Sequence, residues 1–143
     1  MHTWDVALFR MVNQDWANPL FDILMPAVSN VAKHAIGIAL LAIAWLALLL
    51  GCGKPGVRAA LLVIPAVLIA NELADLGKAH LGILRPCVEL PDARVLGTPL
   101  TSGGMPSAHA ANMSAVATVL FGALGRRWWP VWVLPLLAGF SRI

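Results

Sequence analysis

The chain consists of apolar blocks separated by short polar or Gly/Pro-rich connectors. The first block, residues 35–51, carries no charge and approaches the roughly 20 residues that a membrane-crossing helix needs. Three further blocks are apolar over most of their length, at residues 58–77, 106–124 and 128–143. Residues 1–30 alternate apolar and polar positions at roughly helical spacing, which favours helices in the membrane interface. The pattern predicts an all-α polytopic transmembrane helical bundle with interfacial N-terminal helices, within a single membrane domain of residues 1–143.

The composition supports a membrane protein and argues against a soluble domain. Hydrophobic residues make up 59% of the chain and charged residues 12%, whereas soluble domains have roughly 25% charged residues. The net charge is +3, but the ten Lys and Arg residues are scattered without a basic run that could follow a phosphate backbone. We therefore expect membrane lipids as partners and no nucleic acid. The sequence does not indicate an oligomeric state.

The positions of the cations predict the topology. Two short connectors carry basic pairs, Lys54 with Arg58 and Arg126 with Arg127. The positive-inside rule places both connectors in the cytoplasm, so the segment from about residue 77 to 106 lies on the opposite side. Further cations in that outer segment weaken this bias unless they have a functional reason to be there; they are Lys78, Arg85 and Arg94.

Lys78 and Arg85 form the first candidate cluster for chemistry. They are seven residues apart, so on one helix they would share a face at a separation of about 10 Å along the axis. Two such cations can converge on one polyanion. Pro86 biases Arg85 away from the α region and would end the helix there. The alternative is a pair of snorkelling cations at a membrane border.

Polar residues precede Lys78 on the same predicted helix face. Asn71 and Asp75 lie at helical spacing with Lys78, and Glu72 comes three residues before Asp75. Ionisable groups near hydrocarbon are expensive, and they usually pair or face a bundle interior. We expect this group to hold Lys78 or Arg85 in place, with a proton relay as the alternative.

The second candidate cluster is a small-residue loop, residues 101–109, that runs into a long uncharged helix. Pro106 suits the first helical position, which would place Ser107, Ala108 and His109 in the first turn. Free backbone N–H groups and the helix dipole make such a turn an anion site. Ser107 adds a hydroxyl donor, and His109 titrates near neutral pH and can pass a proton. Alternatively, His109 is only an interfacial polar residue.

Ser141 and Arg142 form the third candidate cluster, at the outer end of the fourth block. Helix alternation places Arg142 on the same side of the membrane as Lys78, Arg85 and His109. Three cations, a hydroxyl, a helix N-terminus and a histidine would then meet at one border, which is what a phosphate site requires.

At these residues the chain resembles the type 2 phosphatidic acid phosphatases, whose active site is similar to that of vanadium-dependent haloperoxidases. The family pattern is K-x6-R-P, then P-S-G-H, then S-R-x5-H-x3-D. Residues 78–86 match the first motif, and residues 106–109 match the second with Ala108 in place of glycine. Ser141 and Arg142 begin the third. Alanine keeps the N–H and needs no positive φ in a first turn, so the anion site can survive.

The resemblance implies hydrolysis of a lipid phosphate or diphosphate without metal or cofactor, through a phosphohistidine. It implies that His109 is the general acid. The phosphoryl oxygens would be bound by Lys78, Arg85, Ser107, Arg142 and the backbone N–H of Ala108, with Asp75, Pro86 and Pro106 in support. Small bacterial members with an extracytoplasmic site suggest undecaprenyl diphosphate as substrate, in the bacterial inner membrane with the site on the periplasmic face. Phosphatidic acid, phosphatidylglycerol phosphate and lipid A phosphate stay open.

The third motif continues past Ile143, the last residue of the sequence. The family's nucleophilic histidine and its orienting aspartate would follow that residue. We therefore expect a chain truncated within the third motif, which binds phosphate better than it hydrolyses it; a natural inactive relative is the alternative. Two other functions stay open, a non-catalytic membrane protein that binds anions or lipid head groups, and a phosphotransferase.

Overall fold

The computed structural model describes residues 3–95 and 103–141. All regular elements in these two ranges are helical, which confirms the all-α prediction for this part of the chain. The α-helices are α1 (Thr3–Arg10), α2 (Pro19–Ser29), α3 (Ala35–Gly51), α4 (Gly53–Leu81), α5 (Pro86–Glu89), α6 (Ala108–Leu124) and α7 (Val133–Phe140). A π-helical turn at Met11–Asp15 and 3-10 segments at Val31–Lys33 and Arg126–Trp132 connect them.

Helix α4 is longer at both ends than the predicted block at residues 58–77. The Gly/Pro-rich connector after the first predicted block is reduced to one residue, Cys52, and the helix begins at Gly53. Pro55 is tolerated because N–H groups in a first turn have no partner within the helix. Gly82 ends the helix in the left-handed conformation, with φ of 57°, and its N–H donates to the Lys78 carbonyl at 3.1 Å. With 29 residues, α4 is about 43 Å long.

The last two predicted blocks also differ from the observed helices. The block predicted from residue 106 begins as α6 at Ala108, because Ser107 is the N-cap and accepts a hydrogen bond from the Ala110 N–H at 3.4 Å. The block predicted as one helix from residue 128 is a 3-10 segment followed by α7. Pro130 lies inside that segment and has no N–H to continue an α-helical ladder.

The helices pack through small residues, while large apolar side chains point outward. The buried hydrophobic residues are Ala59, Ala60, Ala74, Ala117, Leu120 and Ala138. By contrast, Ile36 is 77% exposed and Leu61 is 62% exposed. Helix α4 packs against α6 and α3, and α6 against α7. Small residues at helix contacts with large residues outside are typical of helices that associate in lipid.

By length and composition, one helix among the described residues is able to cross a membrane, and it lies in Gly53–Glu89. Helices α2, α3 and α6 are apolar but shorter. The four membrane segments and the interfacial position of the N-terminal helices thus stay predictions. The observed α3 occupies the same range, residues 35–51, as the first predicted segment.

Candidate active site

Lys78 lies in the last turn of α4 and belongs to a chain of polar contacts. Its Nζ donates to Asp75 Oδ1 at 2.6 Å. The other oxygen, Asp75 Oδ2, accepts from Asn71 Nδ2 at 3.2 Å. These contacts lie along the helix face on which the sequence places the three residues. The ion pair fixes the Lys78 ammonium at the end of α4, where its side chain is 21% exposed.

The polar chain continues onto α6 through Asn112, which sequence reasoning missed. Asn112 Nδ2 donates to Asn71 Oδ1 at 3.4 Å. Its own Oδ1 is buried and has no hydrogen-bond partner among the described residues. The available signal was an amide in an uncharged helix, about one turn after His109. Asn112 therefore links the helix that carries His109 to the residues that hold Lys78.

Arg85 does not share a helix face with Lys78, contrary to the sequence prediction. Helix α4 already ends at Leu81, because Gly82 takes the left-handed conformation that terminates helices. Arg85 is instead the N-cap of α5, with extended backbone angles (φ −73°, ψ 146°) before Pro86. That conformation is the one predicted for a residue preceding proline. Arg85 therefore lies in the connector between α4 and α5 and not on α4.

The small-residue loop packs its main chain against both cationic segments. Gly104 N–H donates to the Ile83 carbonyl at 2.7 Å. A Cβ at Gly104 would lie 3.2 Å from Arg85 Cα, and a Cβ at Gly103 would lie 3.3 Å from Lys78 Cβ. These distances leave little room for side chains at the two glycines. The loop therefore brings the second cluster of predicted site residues directly against the first.

The loop continues into α6, which has Ser107, Ala108 and His109 at its start. A Cβ at Gly77 would lie 2.9 Å from Pro106 Cγ and Cδ, so Pro106 sits on α4 one residue before Lys78. Ser107 is half-buried and caps α6, Ala108 is the first helical residue, and His109 is exposed. The first N–H groups of α6 have no partner within the helix. Lys78, Arg85 and the start of α6 are thus neighbours through direct loop contacts.

The third cluster is described only in part. Arg142 lies outside the described residues, and Ser141 Oγ donates to the Ala138 carbonyl at 2.9 Å. Residues 126–140 extend over about 26 Å by helix rise, the same as α6. Helix α7, which precedes Ser141, packs against α6.

The charged groups at this site include two cations and a carboxylate. Lys78 and Arg85 bring positive charge, and Asp75 is paired with Lys78. Within residues 3–95 and 103–141, no three His, Cys, Asp or Glu side chains lie close enough together to hold a metal ion. Convergent cations beside a helix N-terminus are suited to binding a phosphoryl group.

One comparison with known proteins gives a match. The family model described as PAP2 superfamily matches residues 56–143, a range that contains Lys78, Arg85 and the Ser107–His109 segment. Comparisons with curated proteins and with solved structures give no match. The N-terminal helices and α3 precede the matched range.

Proposed function

Because the chain belongs to the PAP2 superfamily, whose members are phosphatases, we propose that it serves in the hydrolysis of a lipid phosphate or diphosphate. The observation that carries this proposal is the packing of the Gly103–Gly104 main chain against Lys78 and Arg85. That packing puts the start of α6 beside two cations. The proposed reaction uses no metal and no cofactor.

In the proposed site, donors from four segments surround the phosphoryl oxygens. Lys78 has three N–H donors and gives one to Asp75. Ser107 Oγ accepts from Ala110 N–H, so its own proton is left to donate. Arg85, Arg142 and the Ala108 N–H complete the proposed set, with Asp75, Pro86 and Pro106 as supports. Such donors stabilise the charge that builds on the phosphoryl group in the transition state.

We propose His109 as the general acid. A histidine near neutral pH holds a proton that it can give up. As the bond between phosphorus and the leaving oxygen breaks, His109 transfers its proton to that oxygen. The attacking group in the proposal is the third-motif histidine, whose family position follows Ile143. Its bond to phosphorus forms a phosphohistidine, which water then hydrolyses.

A lipid substrate is favoured by the surface around the site. Leu73 and Leu76 of α4 are 62% and 55% exposed and lie within two turns of Lys78, where an acyl or prenyl chain can pack. PAP2 proteins are generally associated with membranes. We propose that α3, α4, α6 and the segment 128–143 span the bilayer as a polytopic bundle, with residues 1–30 at the interface. Helix α4, at about 43 Å, exceeds the ~30 Å hydrocarbon core.

The proposed location is the bacterial inner membrane, with the site on its periplasmic face. The basic connectors at Lys54–Arg58 and Arg126–Arg127 would then be cytoplasmic. A phosphate pocket at head-group depth suits a lipid phosphate, and undecaprenyl diphosphate is the proposed substrate.

The test replaces His109 with alanine in the complete gene product. We expect phosphate release from undecaprenyl diphosphate in detergent micelles to fall about 10²- to 10⁴-fold, the usual contribution of a general acid. His34→Ala, an exposed histidine at the start of α3, is the matched control and should retain activity. Equal turnover by His109→Ala and the unmodified protein would refute the assigned role.

The same assay separates the other candidate functions. A protein that only binds anions or lipid head groups releases no phosphate, whereas a phosphotransferase forms product in proportion to an added acceptor alcohol. Phosphatidic acid as the second substrate tests the preference for a prenyl diphosphate. Strong phosphate release by the 143-residue chain alone would contradict a nucleophile located after Ile143.

A further inference from the structure

The N-terminal segment contacts the chain that leads into the small-residue loop. The Arg94 guanidinium forms a bidentate pair with Asp22, with Nη1–Oδ1 at 2.6 Å and Nη2–Oδ2 at 2.5 Å. Asn13 holds the Arg94 main chain from the same side: its Nδ2 donates to the Arg94 carbonyl at 2.9 Å, and its Oδ1 accepts from the Arg94 N–H at 2.8 Å. Arg94 is therefore fixed at both its backbone and its side chain.

Asp92 adds a second attachment of the same connector. Arg10 Nε lies 2.9 Å from Asp92 Oδ2. Gln14 Nε2 donates to the Asp92 carbonyl at 2.8 Å and to Oδ2 at 3.3 Å. Asp92 and Arg94 thus form four polar residue pairs with residues 10–22. Arg94 pairs with Asp22 and Asn13, and Asp92 pairs with Arg10 and Gln14. Bidentate and charge-assisted contacts of this kind fix geometry as well as position.

The same N-terminal segment also touches the other flank of the site. The Trp16 ring stacks on Phe140, with centroids 5.7 Å apart and an interplanar angle of 10°. Phe140 is the last residue of α7 and directly precedes Ser141, where the third motif begins. Residues 10–22 therefore bridge the two chain segments that flank the proposed phosphate site.

We propose that residues 10–22 form a clamp that positions the phosphate site, with Asp22 and Trp16 as its positioning residues. The proposal rests on the function proposed above. Arg94 lies nine residues after Arg85 and nine before Gly103 in the sequence. The family match begins at residue 56, so family membership assigns no role to this segment.

The first test is independent of activity and uses trypsin on the full 143-residue chain in detergent. Between Lys78 and Arg126, trypsin can cut after Arg94, because Arg85 is protected by Pro86. Cleavage follows the population of the open connector when opening is fast. Asp22→Asn should raise the cleavage rate after Arg94 about two- to fivefold, the range for a partly exposed ion pair. Mass spectrometry identifies the fragments.

The control for this test is Asp15→Asn, which removes the same charge from an exposed position in the same segment. It should leave cleavage after Arg94 unchanged. Asp22→Glu, which keeps the carboxylate on a longer side chain, should restore protection in part. Equal cleavage rates in Asp22→Asn and the unmodified chain would refute the clamp.

The second test asks whether the clamp acts on the site. In the complete gene product, Asp22→Asn should raise KM for the lipid diphosphate about two- to fivefold and change kcat less than about twofold. Affinity of the 143-residue chain for inorganic phosphate, followed by ³¹P NMR, should fall by a similar factor. A chain without phosphate affinity contradicts the proposed function, whereas equal affinity in Asp22→Asn contradicts positioning by the clamp.

Discussion

Buried alanines lie on both α4 and α6, whereas the segments around the site meet through hydrogen bonds and ion pairs. Ala60 and Ala117 are fully buried, and close approach of the helices leaves no space for larger side chains there. At the site, by contrast, Lys78 and Arg94 are held by carboxylates that remain partly exposed. The two regions should therefore respond to different perturbations. The interior should respond to added volume, and the ion pairs of Asp22, Asp75 and Asp92, here called the rim, should respond to changes in charge and pH.

The largest effect is expected from added volume in the interior. Ala117→Leu forces three extra carbons into the helix contact, and overpacking of this kind costs about 1–3 kcal/mol. The free energy of unfolding in an SDS titration should fall by that amount. Ala42→Leu, the same change at an exposed position of α3, is the control and should be nearly neutral. Equal losses in both variants would remove the distinction between buried and exposed alanines.

The next effect is expected at Asp75. Asp75→Ala removes the acceptor that fixes Lys78 Nζ, so phosphate affinity should fall about three- to tenfold, in the range of a charge-assisted hydrogen bond. Asp75→Asn keeps an oxygen acceptor but removes the charge, and we expect affinity within about twofold of the unmodified chain. Isothermal titration with inorganic phosphate distinguishes them. If Asp75→Ala binds phosphate more tightly, Asp75 acts mainly by repulsion.

A smaller effect is expected from a polar contact inside the bundle. Trp45 Nε1 donates to the Ala60 carbonyl at 3.0 Å, joining α3 to α4. Trp45→Phe keeps the aromatic ring but removes the donor, which should lower the free energy of unfolding by about 1 kcal/mol. Trp129→Phe, at an exposed tryptophan, controls for the loss of an indole. No change in Trp45→Phe would show that the hydrogen bond adds nothing to alanine packing.

The smallest effect is expected from acid, and only at the rim. A hydrogen bond from Arg94 lowers the pKa of Asp22 below its ordinary value. Hydrogen bonds from Arg10 and Gln14 lower the pKa of Asp92 in the same way. A carboxylate with a lowered pKa in the folded state stabilises the fold above its unfolded pKa of about 4. That stabilisation is lost as the pH falls through the folded pKa.

The acid effect can be followed at Arg94 itself. Below about pH 4, the ¹⁵N–¹H resonance of its guanidinium should shift towards that of exposed arginines, while helicity by circular dichroism stays constant. Loss of helicity in the same pH range would mean that the helices unfold together with the ion pairs of the rim.

Local geometry explains what the sequence predicted correctly. The apolar run at residues 35–51 became α3 over the same range. The spacing of Asn71, Asp75 and Lys78 predicted a shared helix face, and their side chains are connected by hydrogen bonds. Pro86 predicted the extended backbone of Arg85. Each of these features depends on neighbours within about two helical turns.

Features that depend on competing local signals or on distant contacts were missed. Gly82 ended α4 before Pro86 could, because a glycine adopts the left-handed conformation without steric penalty. The Ser107 cap similarly prevailed over Pro106 as the start of α6. Arg94 and Asp22 are 72 residues apart, and no spacing rule connects such positions. In the sequence, Arg94 was noted only as a cation that weakens the positive-inside bias of the predicted topology.

The close approach of the glycine loop to α4 bears on how the substrate range of the protein could be redesigned. Gly104 is attached to the Ile83 carbonyl by its backbone N–H, so this contact involves main-chain atoms alone. Leu73 and Leu76 can be varied in a library, with Gly103, Gly104 and Pro106 left unchanged. Selectivity for the tail of the proposed lipid substrate and reactivity towards the phosphate are then separate targets for engineering.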